Sequence, residues 1–232
     1  MDTKTQNKPL QTNVYAYTQH LQTIRVIEEA CNTKIAVLTQ DRSKDPVEDV
    51  LTQLPKAEVV LYAVLPIDKA VELKHKAPSL KLVLLQLEGK VIERLTGRPY
   101  DPKSEYPPDL VKAALKLIEV KGGWIKYMTF KEMVEEIITS GSRKIAVFND
   151  AMREAVKIAL QTTVGVAGIE VVKTCDACVE INPLGVKAGY RISFPGTAGK
   201  LTAEQMAEML MRGEARIYYV DIDAQEVPMC YA

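Results

Sequence analysis

Apolar positions along the chain follow two spacings that alternate from end to end. Short runs rich in β-branched and aromatic residues predict strands, and segments of about ten residues with apolar positions three and four apart predict helices. The predicted strands are Val14–Thr18, Lys34–Leu38, Glu58–Val64, Lys81–Leu85, Trp124–Met128, Lys144–Phe148, Ile169–Thr174, Tyr190–Ser193 and Arg216–Val220. The predicted helices are Leu21–Ala30, Pro46–Leu54, Asp68–His75, Asp109–Ile118, Lys131–Ile138, Ala151–Leu160 and Thr202–Arg212. Such alternation predicts an α/β fold with mostly parallel sheets flanked by helices.

The chain also shows an internal similarity. When residues 14–40 are laid over residues 124–150 without gaps, Lys34-Ile35-Ala36-Val37 falls on Lys144-Ile145-Ala146-Val147, and strand, helix and strand stay in phase. This indicates two tandem copies of one α/β unit, residues 1–120 and 121–232, joined near Lys121-Gly122-Gly123. The alternative is that any two βαβ segments align about this well, since the composition of strands is narrow.

A long segment of the first half, Glu88–Pro108, contains two glycines and four prolines. Such a composition predicts an excursion from the regular pattern with at most one short helix inside it. A lid or a partner surface is one interpretation, and a solvated loop is the favoured one.

Composition and charge narrow the classes of function. With 232 residues and 47% hydrophobic content, the chain can bury a sizeable core. Its 30 basic and 30 acidic side chains cancel, so no global field attracts nucleic acid or an anionic membrane. No apolar window is long enough to span a bilayer, and Met1–Thr12 carries no apolar signal core. Four scattered cysteines do not form the framework of a small secreted protein, so we expect a cytoplasmic protein.

The most direct chemical signal is the pair Cys175 and Cys178, which follows the predicted strand Ile169–Thr174. A strand that ends in two thiols places sulfur at the carboxyl edge of a sheet, where open α/β folds hold their sites. A thiolate is the reactive species, and Lys173 lies two residues before Cys175, on the same face of an extended strand, where it would lower the pKa of the thiol. Cys178 could then resolve a persulfide or close a disulfide. The alternative is a pair of buried structural cysteines.

Other sites are weaker in the sequence. Zinc needs four ligands, and Cys31, Cys230, His20 and His75 are remote from the pair, so we expect no metal unless subunits share a site. The two histidines are read as solvated or structural. The glycines of residues 165–168 and 196–199 lack the spacing of a phosphate-binding loop.

Asn149 and Asp150 follow the predicted strand Lys144–Phe148 and therefore lie at the same carboxyl edge as the two thiols. They could line a pocket there. Capping of the helix that follows is the favoured role, with Asp150 as the capping residue.

The second half resembles the DsrE/DsrF-like group of small sulfur-handling proteins. The resemblance covers Trp124–Val220 and rests on a strand with a cysteine-bearing turn (169–178), a loop rising through Val186-Lys187-Ala188-Gly189 to a short strand, and a helix opened by residues 201–206. The loop 194–200 is longer, and the helix Lys131–Ile138 shorter, than this group leads one to expect. The resemblance implies a cysteine that carries sulfur as a persulfide, or takes part in a thiol relay, within an assembly of several subunits.

Two hypotheses of function follow. In the first, the chain is a sulfur-carrier or thiol-relay protein that uses Cys175 and Cys178, works without a cofactor, forms a homo-oligomer and meets a sulfur-donor or acceptor protein. In the second, it is a non-catalytic α/β module that binds a nucleotide or a protein partner at the carboxyl edge of its sheets, with structural cysteines. Whether the chain is an enzyme is left open by the sequence.

Overall fold

The computed structural model describes residues 13–140, 144–147, 149–163, 168–173, 188–194 and 200–231. Within them strands and helices alternate along most of the chain. The strands are β1 (Val14–Tyr17), β2 (Ala36–Val37), β3 (Val60–Ala63), β4 (Lys81–Leu87), β5 (Leu115–Met128), β6 (Lys144–Val147), β7 (Glu170–Lys173), β8 (Ala188–Ser193) and β9 (Arg216–Val227). The helices are α1 (Leu21–Cys31), α2 (Pro46–Gln53), α3 (Ile67–Lys76), α4 (Gly89–Thr96), α5 (Pro108–Ala114), α6 (Phe130–Ser140), α7 (Asp150–Gln161) and α8 (Ala203–Arg212).

The described strands form one mixed sheet in the order β2-β1-β3-β4-β5-β9-β8-β6-β7. The α/β class is thereby confirmed, but the expectation of mostly parallel sheets is not. Parallel pairs occupy the two ends of the sheet, whereas β4, β5, β9 and β8 pair antiparallel in its centre and make the longest ladders.

The antiparallel centre begins at the Gly- and Pro-rich excursion. The excursion starts after β4 and leads into α5. The N–H of Glu88, at its start, donates to the carbonyl oxygen of Ala114, the last residue of α5, at 2.8 Å. Since the chain returns to the end of the sheet that β4 has just left, β5 can only run back along β4. The helix predicted over Asp109–Ile118 therefore ends at Ala114, and Leu115 already belongs to β5.

The tandem repeat is not confirmed by the strand order. In the first half, β1 lies between β2 and β3 and is parallel to both. Its counterpart in the alignment, the second part of β5, instead pairs antiparallel with β9. The predicted junction at Lys121-Gly122-Gly123 lies within the continuous strand β5, where the pairing with β9 shifts register between Val120 and Gly122.

Helices cover both faces of the sheet in the first half. Ile24 and Ile27 of α1 pack with Tyr62 and Val83 on one face. On the other face, apolar residues of α2 and α3 pack against strand residues that alternate with Tyr62 and Val83. The helix residues are Val47, Val50, Ala70 and Val71, and the strand residues are Leu61, Leu82 and Leu84. Because consecutive side chains of a strand point to opposite faces, α1 and α2 lie on opposite sides of β1. A third cluster packs α6, α7 and α8 against the second half of the sheet.

Cys31 and Cys230 form a disulfide with a Cα–Cα distance of 5.2 Å, although 199 residues separate them. Cys31 is the last residue of α1, and Cys230 lies in the segment that follows β9. The sequence predicted only that both cysteines are remote from Cys175 and Cys178, and it did not predict that they pair. They meet because β9 runs back through the centre of the sheet and leaves the chain beside the end of α1.

None of the helices in the described ranges combines the length and the apolar character that crossing a bilayer requires.

Gly123 is expected to be the more sensitive of the two neighbouring glycines in β5. Its φ is +152°, and a Cβ atom there would lie 2.3 Å from the backbone oxygen of Asp221, whereas a Cβ on Gly122 meets no atom within 4 Å. We expect Gly123→Ala to lower the free energy of unfolding by about 2 kcal/mol. Urea denaturation measures the change, with Gly122→Ala as the matched control. Equal midpoints for the two variants would contradict a close approach of β5 and β9.

Candidate ligand pocket at the switch point of the first half

The structure describes only part of the site predicted from the sequence. Cys175 and Cys178 lie outside the described residues, so their environment stays untested. The strand before them is present as β7, and Val147 of β6 pairs with Lys173 of β7. The carboxyl ends of these two strands are therefore neighbours, as the prediction for Asn149 and Asp150 requires.

Asn149 and Asp150 both act at the start of α7. The Asn149 side-chain oxygen accepts a hydrogen bond from the N–H of Met152 at 2.9 Å, so Asn149 is the N-cap. Asp150 is already the first residue of the helix and pairs with Arg153 at 3.2 Å. The predicted capping role therefore belongs to Asn149, one residue earlier than expected, because α7 itself begins one residue earlier.

A cavity at described strand ends lies in the other half of the chain. A cavity of about 800 Å³ opens at the carboxyl ends of the parallel strands β1, β2 and β3. Its lining residues are Tyr17, Gln19, His20, Gln40, Asp41, Arg42, Lys44, Pro46, Val64, Leu65 and Pro66. We call this cavity the switch-point pocket.

The strand order explains why a pocket forms there. From β1 the chain crosses to β2 on one side through α1, and from β2 it crosses to β3 on the other side through α2. The loop after β1 leads to α1 on one face of the sheet, and the loop after β3 leads to α3 on the other face, so these two loops diverge and leave a crevice between them. Open α/β sheets bind ligands at such a switch point.

A buried carboxylate organises the floor of the switch-point pocket. Asp49 of α2 is only 2% exposed. It accepts hydrogen bonds from the Tyr17 hydroxyl at 3.0 Å, from the N–H of Asp41 at 3.0 Å and from Gln53 Nε2 at 3.1 Å. Asp49 thereby joins the end of β1 to the loop that precedes α2 and fixes the relative position of two pocket walls.

The tyrosine in this network is a hydrogen-bond donor. Burial, together with the hydrogen bond to Asp49, raises the pKa of Tyr17 to about 12. Tyr17 therefore keeps its proton at neutral pH, and its hydroxyl group donates to the carboxylate of Asp49.

The rim of the pocket carries positive charge. Arg42 Nη2 donates to Gln19 Oε1 at 3.0 Å, which joins the loops after β2 and β1. Lys44 lies 3.4 Å from Asp41, and hydrogen bonds from Ser43 hold the pKa of Asp41 below its usual value. Asp41 is thus ionised and partly neutralised by Lys44, whereas Arg42 donates to the uncharged side-chain amide of Gln19.

The opposite wall of the pocket is apolar. It consists of Val64, Leu65 and Pro66, where the chain leaves β3, together with Pro46 at the start of α2. The N–H of Val64 donates to the carbonyl oxygen of Tyr17 at 3.1 Å, which ties this wall to the end of β1. The pocket therefore offers an apolar surface facing a polar and cationic rim.

This edge of the sheet carries no thiols, and its histidine, His20, was expected to be solvated or structural. His20 nevertheless lines the pocket, together with Leu65 and Pro66. The second histidine, His75, lies with Nε2 2.6 Å from the carbonyl oxygen of Gly123, a contact between α3 and β5. The available signal was a polar cluster after each of the first two strands, Gln19-His20 and Gln40-Asp41-Arg42.

A metal centre is not indicated by the part of the chain that the structure describes, where no three His, Cys, Asp or Glu side chains gather in a metal-binding arrangement.

Comparison with protein-family models, with curated proteins and with solved structures finds no match to this chain. The resemblance of Trp124–Val220 to the DsrE/DsrF-like group therefore stays a prediction, and the functional argument rests on the geometry of the switch-point pocket.

Proposed function

We propose that this protein is a binding module that takes a phosphorylated small molecule, of about the size of a nucleotide, in the switch-point pocket. The observation that carries the proposal is a cavity of about 800 Å³ at a topological switch point, with the Arg42 guanidinium on its rim. Ligand pockets for small molecules and cofactors span roughly 300–1,000 Å³, and the switch point is where open α/β sheets bind them.

Each wall of the pocket has a role in this proposal. Arg42 binds the phosphate, since a guanidinium presents paired N–H donors that match two phosphate oxygens, and Lys44 adds a point charge. The organic part of the ligand packs on Val64, Leu65 and Pro66. Asp49 and Tyr17 lie beneath these groups and keep the walls in place before the ligand arrives, which reduces the entropy lost on binding.

The switch-point pocket is suited to binding a ligand rather than to covalent chemistry. Tyr17 is the buried hydroxyl of the pocket, and its raised pKa keeps it protonated and bonded to Asp49 at neutral pH. A protonated phenol in this position is a donor and a structural support, not a nucleophile.

Replacement of Arg42 by glutamine is expected to weaken binding of the phosphorylated ligand about tenfold or more, because one charge-assisted hydrogen-bond pair is lost. The wild-type protein is first screened by thermal shift against nucleoside mono- and diphosphates, since a ligand of the folded state raises the melting temperature. Calorimetric titration then compares the two proteins.

Arg98→Gln provides the matched control, because Arg98 is exposed and does not line the switch-point pocket. Both variants are expected to melt close to the wild-type temperature without ligand. If no phosphorylated compound in the screen stabilises the wild type, or if Arg42→Gln binds as the wild type does, the proposed function is wrong.

The sulfur-relay hypothesis stays a prediction beside this proposal, and alkylation of Cys175 and Cys178 in the native protein is the direct way to test it. Self-association, a protein partner and a cytoplasmic location are predictions of the same standing. The disulfide between Cys31 and Cys230 argues against a cytoplasmic location, because disulfides persist mainly in oxidising compartments.

A further inference from the structure

A second cavity adjoins the switch-point pocket. It has a volume of about 240 Å³, and Gln19 and His20 line both cavities. One wall is the start of α1, with Leu21, Gln22 and Arg25, and the other wall is the segment Pro102–Glu105 of the Gly- and Pro-rich excursion. The two cavities therefore lie on the two sides of a single turn, the one that joins β1 to α1.

The outer wall of the second cavity is held in a defined shape. The Asp101 carboxylate accepts hydrogen bonds from the N–H of Lys103 at 3.0 Å and from Ser104 Oγ at 2.7 Å. The Tyr106 hydroxyl accepts from the N–H of Asp101 at 2.8 Å and donates to its carbonyl oxygen at 3.1 Å. Tyr100 stacks on Tyr106 with ring centroids 5.8 Å apart.

This segment is also attached to the body of the protein. The N–H of Tyr106 donates to Gln22 Oε1 of α1 at 3.0 Å, across 84 residues of sequence. The excursion is therefore a preformed wall against the start of α1, where the sequence favoured a solvated loop. A long segment fixed in this manner is typical of binding loops.

The two cavities repeat the same balance of charge. Arg42, Lys44 and Asp41 line the switch-point pocket. Arg25, Lys103 and Glu105 line the second cavity. Each cavity thus combines two cations with one carboxylate, and each favours a negatively charged group.

We propose that the second cavity is a subsite for a second anionic group of the same ligand, and that the ligand class is small molecules with a phosphate at each of two positions. The inference rests on the proposed function, since it extends the ligand of the switch-point pocket around the turn at His20. Arg25 and Lys103 bind the second phosphate, and Leu21 contacts the part of the ligand that connects the two anionic groups.

The test compares matched probes by calorimetric titration. Nucleoside 5′-monophosphates and the corresponding 3′,5′-bisphosphates, each with the four common bases, differ only in the second phosphate. We expect the bisphosphate of the preferred base to bind about tenfold more tightly than its monophosphate, the gain typical of one added charged hydrogen-bonding group.

Variants show which residues cause the tighter binding of the bisphosphate. Arg25→Ala and Lys103→Ala are expected to remove the preference for the bisphosphate while the affinity for the monophosphate stays within about twofold of wild type, because both side chains are exposed and neither lines the switch-point pocket. Arg98→Ala, which removes an equal charge from the same excursion, is expected to leave both affinities unchanged.

The outcomes separate this inference from the proposed function. Equal affinity for the two classes of probe, or a preference that survives Arg25→Ala and Lys103→Ala, overturns the second subsite and leaves the switch-point pocket intact. If neither class of probe binds to the wild type, both the second subsite and the proposed function are overturned. A bisphosphate preference that Arg98→Ala also removes shows a general effect of charge and overturns the subsite as well.

Discussion

Replacement of Asp49 by alanine is expected to lower the free energy of unfolding by roughly 3 kcal/mol and to abolish ligand binding in the switch-point pocket. The carboxylate is buried, and two of its donors, the Tyr17 hydroxyl and the N–H of Asp41, belong to the pocket walls. Without Asp49 these donors lose their acceptor, and leaving a buried donor unsatisfied costs about 1–3 kcal/mol. The cavity left by the side chain adds to the loss.

Two further variants divide this effect between its causes. Tyr17→Phe removes one donor but leaves Asp49 bonded to the N–H of Asp41, so we expect a loss of about 1 kcal/mol. Glu48→Ala removes an exposed carboxylate from the same helix and is expected to change stability by no more than about 0.5 kcal/mol. Urea denaturation at neutral pH gives all three values.

Binding measurements on the Asp49 variant test the role of the network in the pocket. Where Asp49→Ala is still folded, as judged by circular dichroism, its affinity for the best phosphorylated ligand of the wild type is compared with that of Glu48→Ala. A folded Asp49→Ala protein that binds as tightly as Glu48→Ala would show that the floor of the pocket does not position its rim.

Most of the helices could be predicted from the sequence, because their buried residues recur at helical spacing. In α1, Ile24 and Ile27 are three apart and both are buried. The segment Leu115–Ile118 could not be assigned in this manner, since a short apolar run fits a helix and a strand equally well. Its identity as part of β5 comes from pairing with β4, a contact that no local pattern encodes.

The switch-point pocket is a product of strand order. Tyr17 ends one strand, Asp41 and Leu65 follow two others, and nothing in their spacing links them. They meet because β1 lies between β2 and β3. The sequence pattern predicts that neighbouring strands are parallel, but it does not predict which of the three strands lies in the middle. The polar residues after β1 and β2 were visible but carry no motif, since the glycines of a phosphate-binding loop are missing there.

The disulfide shows the same limit over a longer distance. Cys31 and Cys230 stand near the two ends of the chain, and their pairing depends on the antiparallel return of β9 through the sheet. In the predicted fold with mostly parallel sheets, the last strand does not return in this way. The sequence therefore did not predict that these two cysteines pair, and it predicted sulfur chemistry only at Cys175 and Cys178.

Reduction of the Cys31–Cys230 disulfide is expected to lower the free energy of unfolding by about 4 kcal/mol, one of the two largest effects that the structure predicts. The bond closes a loop of 199 residues, and the entropy of such a loop in the unfolded chain corresponds to about 5 kcal/mol. Measured disulfide contributions usually fall somewhat below this limit.

The segment that carries Cys230 adds local packing to this effect. Met229 and Tyr231 pack against the core cluster beneath α1, and Lys81 Nζ lies 4.6 Å from the centroid of the Tyr231 ring. On reduction we expect the amides of residues 229–231 to exchange with solvent faster than those of β9, because these side-chain contacts alone do not hold the segment in place.

Urea denaturation with and without dithiothreitol measures the loss, and a Cys31→Ala/Cys230→Ala double variant separates it from any effect of the other two cysteines. The double variant is expected to match the reduced wild type and to be unaffected by the reductant. A midpoint that falls equally in the double variant would assign the loss to Cys175 and Cys178, and an unchanged wild-type midpoint would show that the long loop adds no stability. Since α1 carries His20 at its start and Cys31 at its end, the same pair of proteins also tests whether anchoring the end of this helix preserves the affinity of the switch-point pocket.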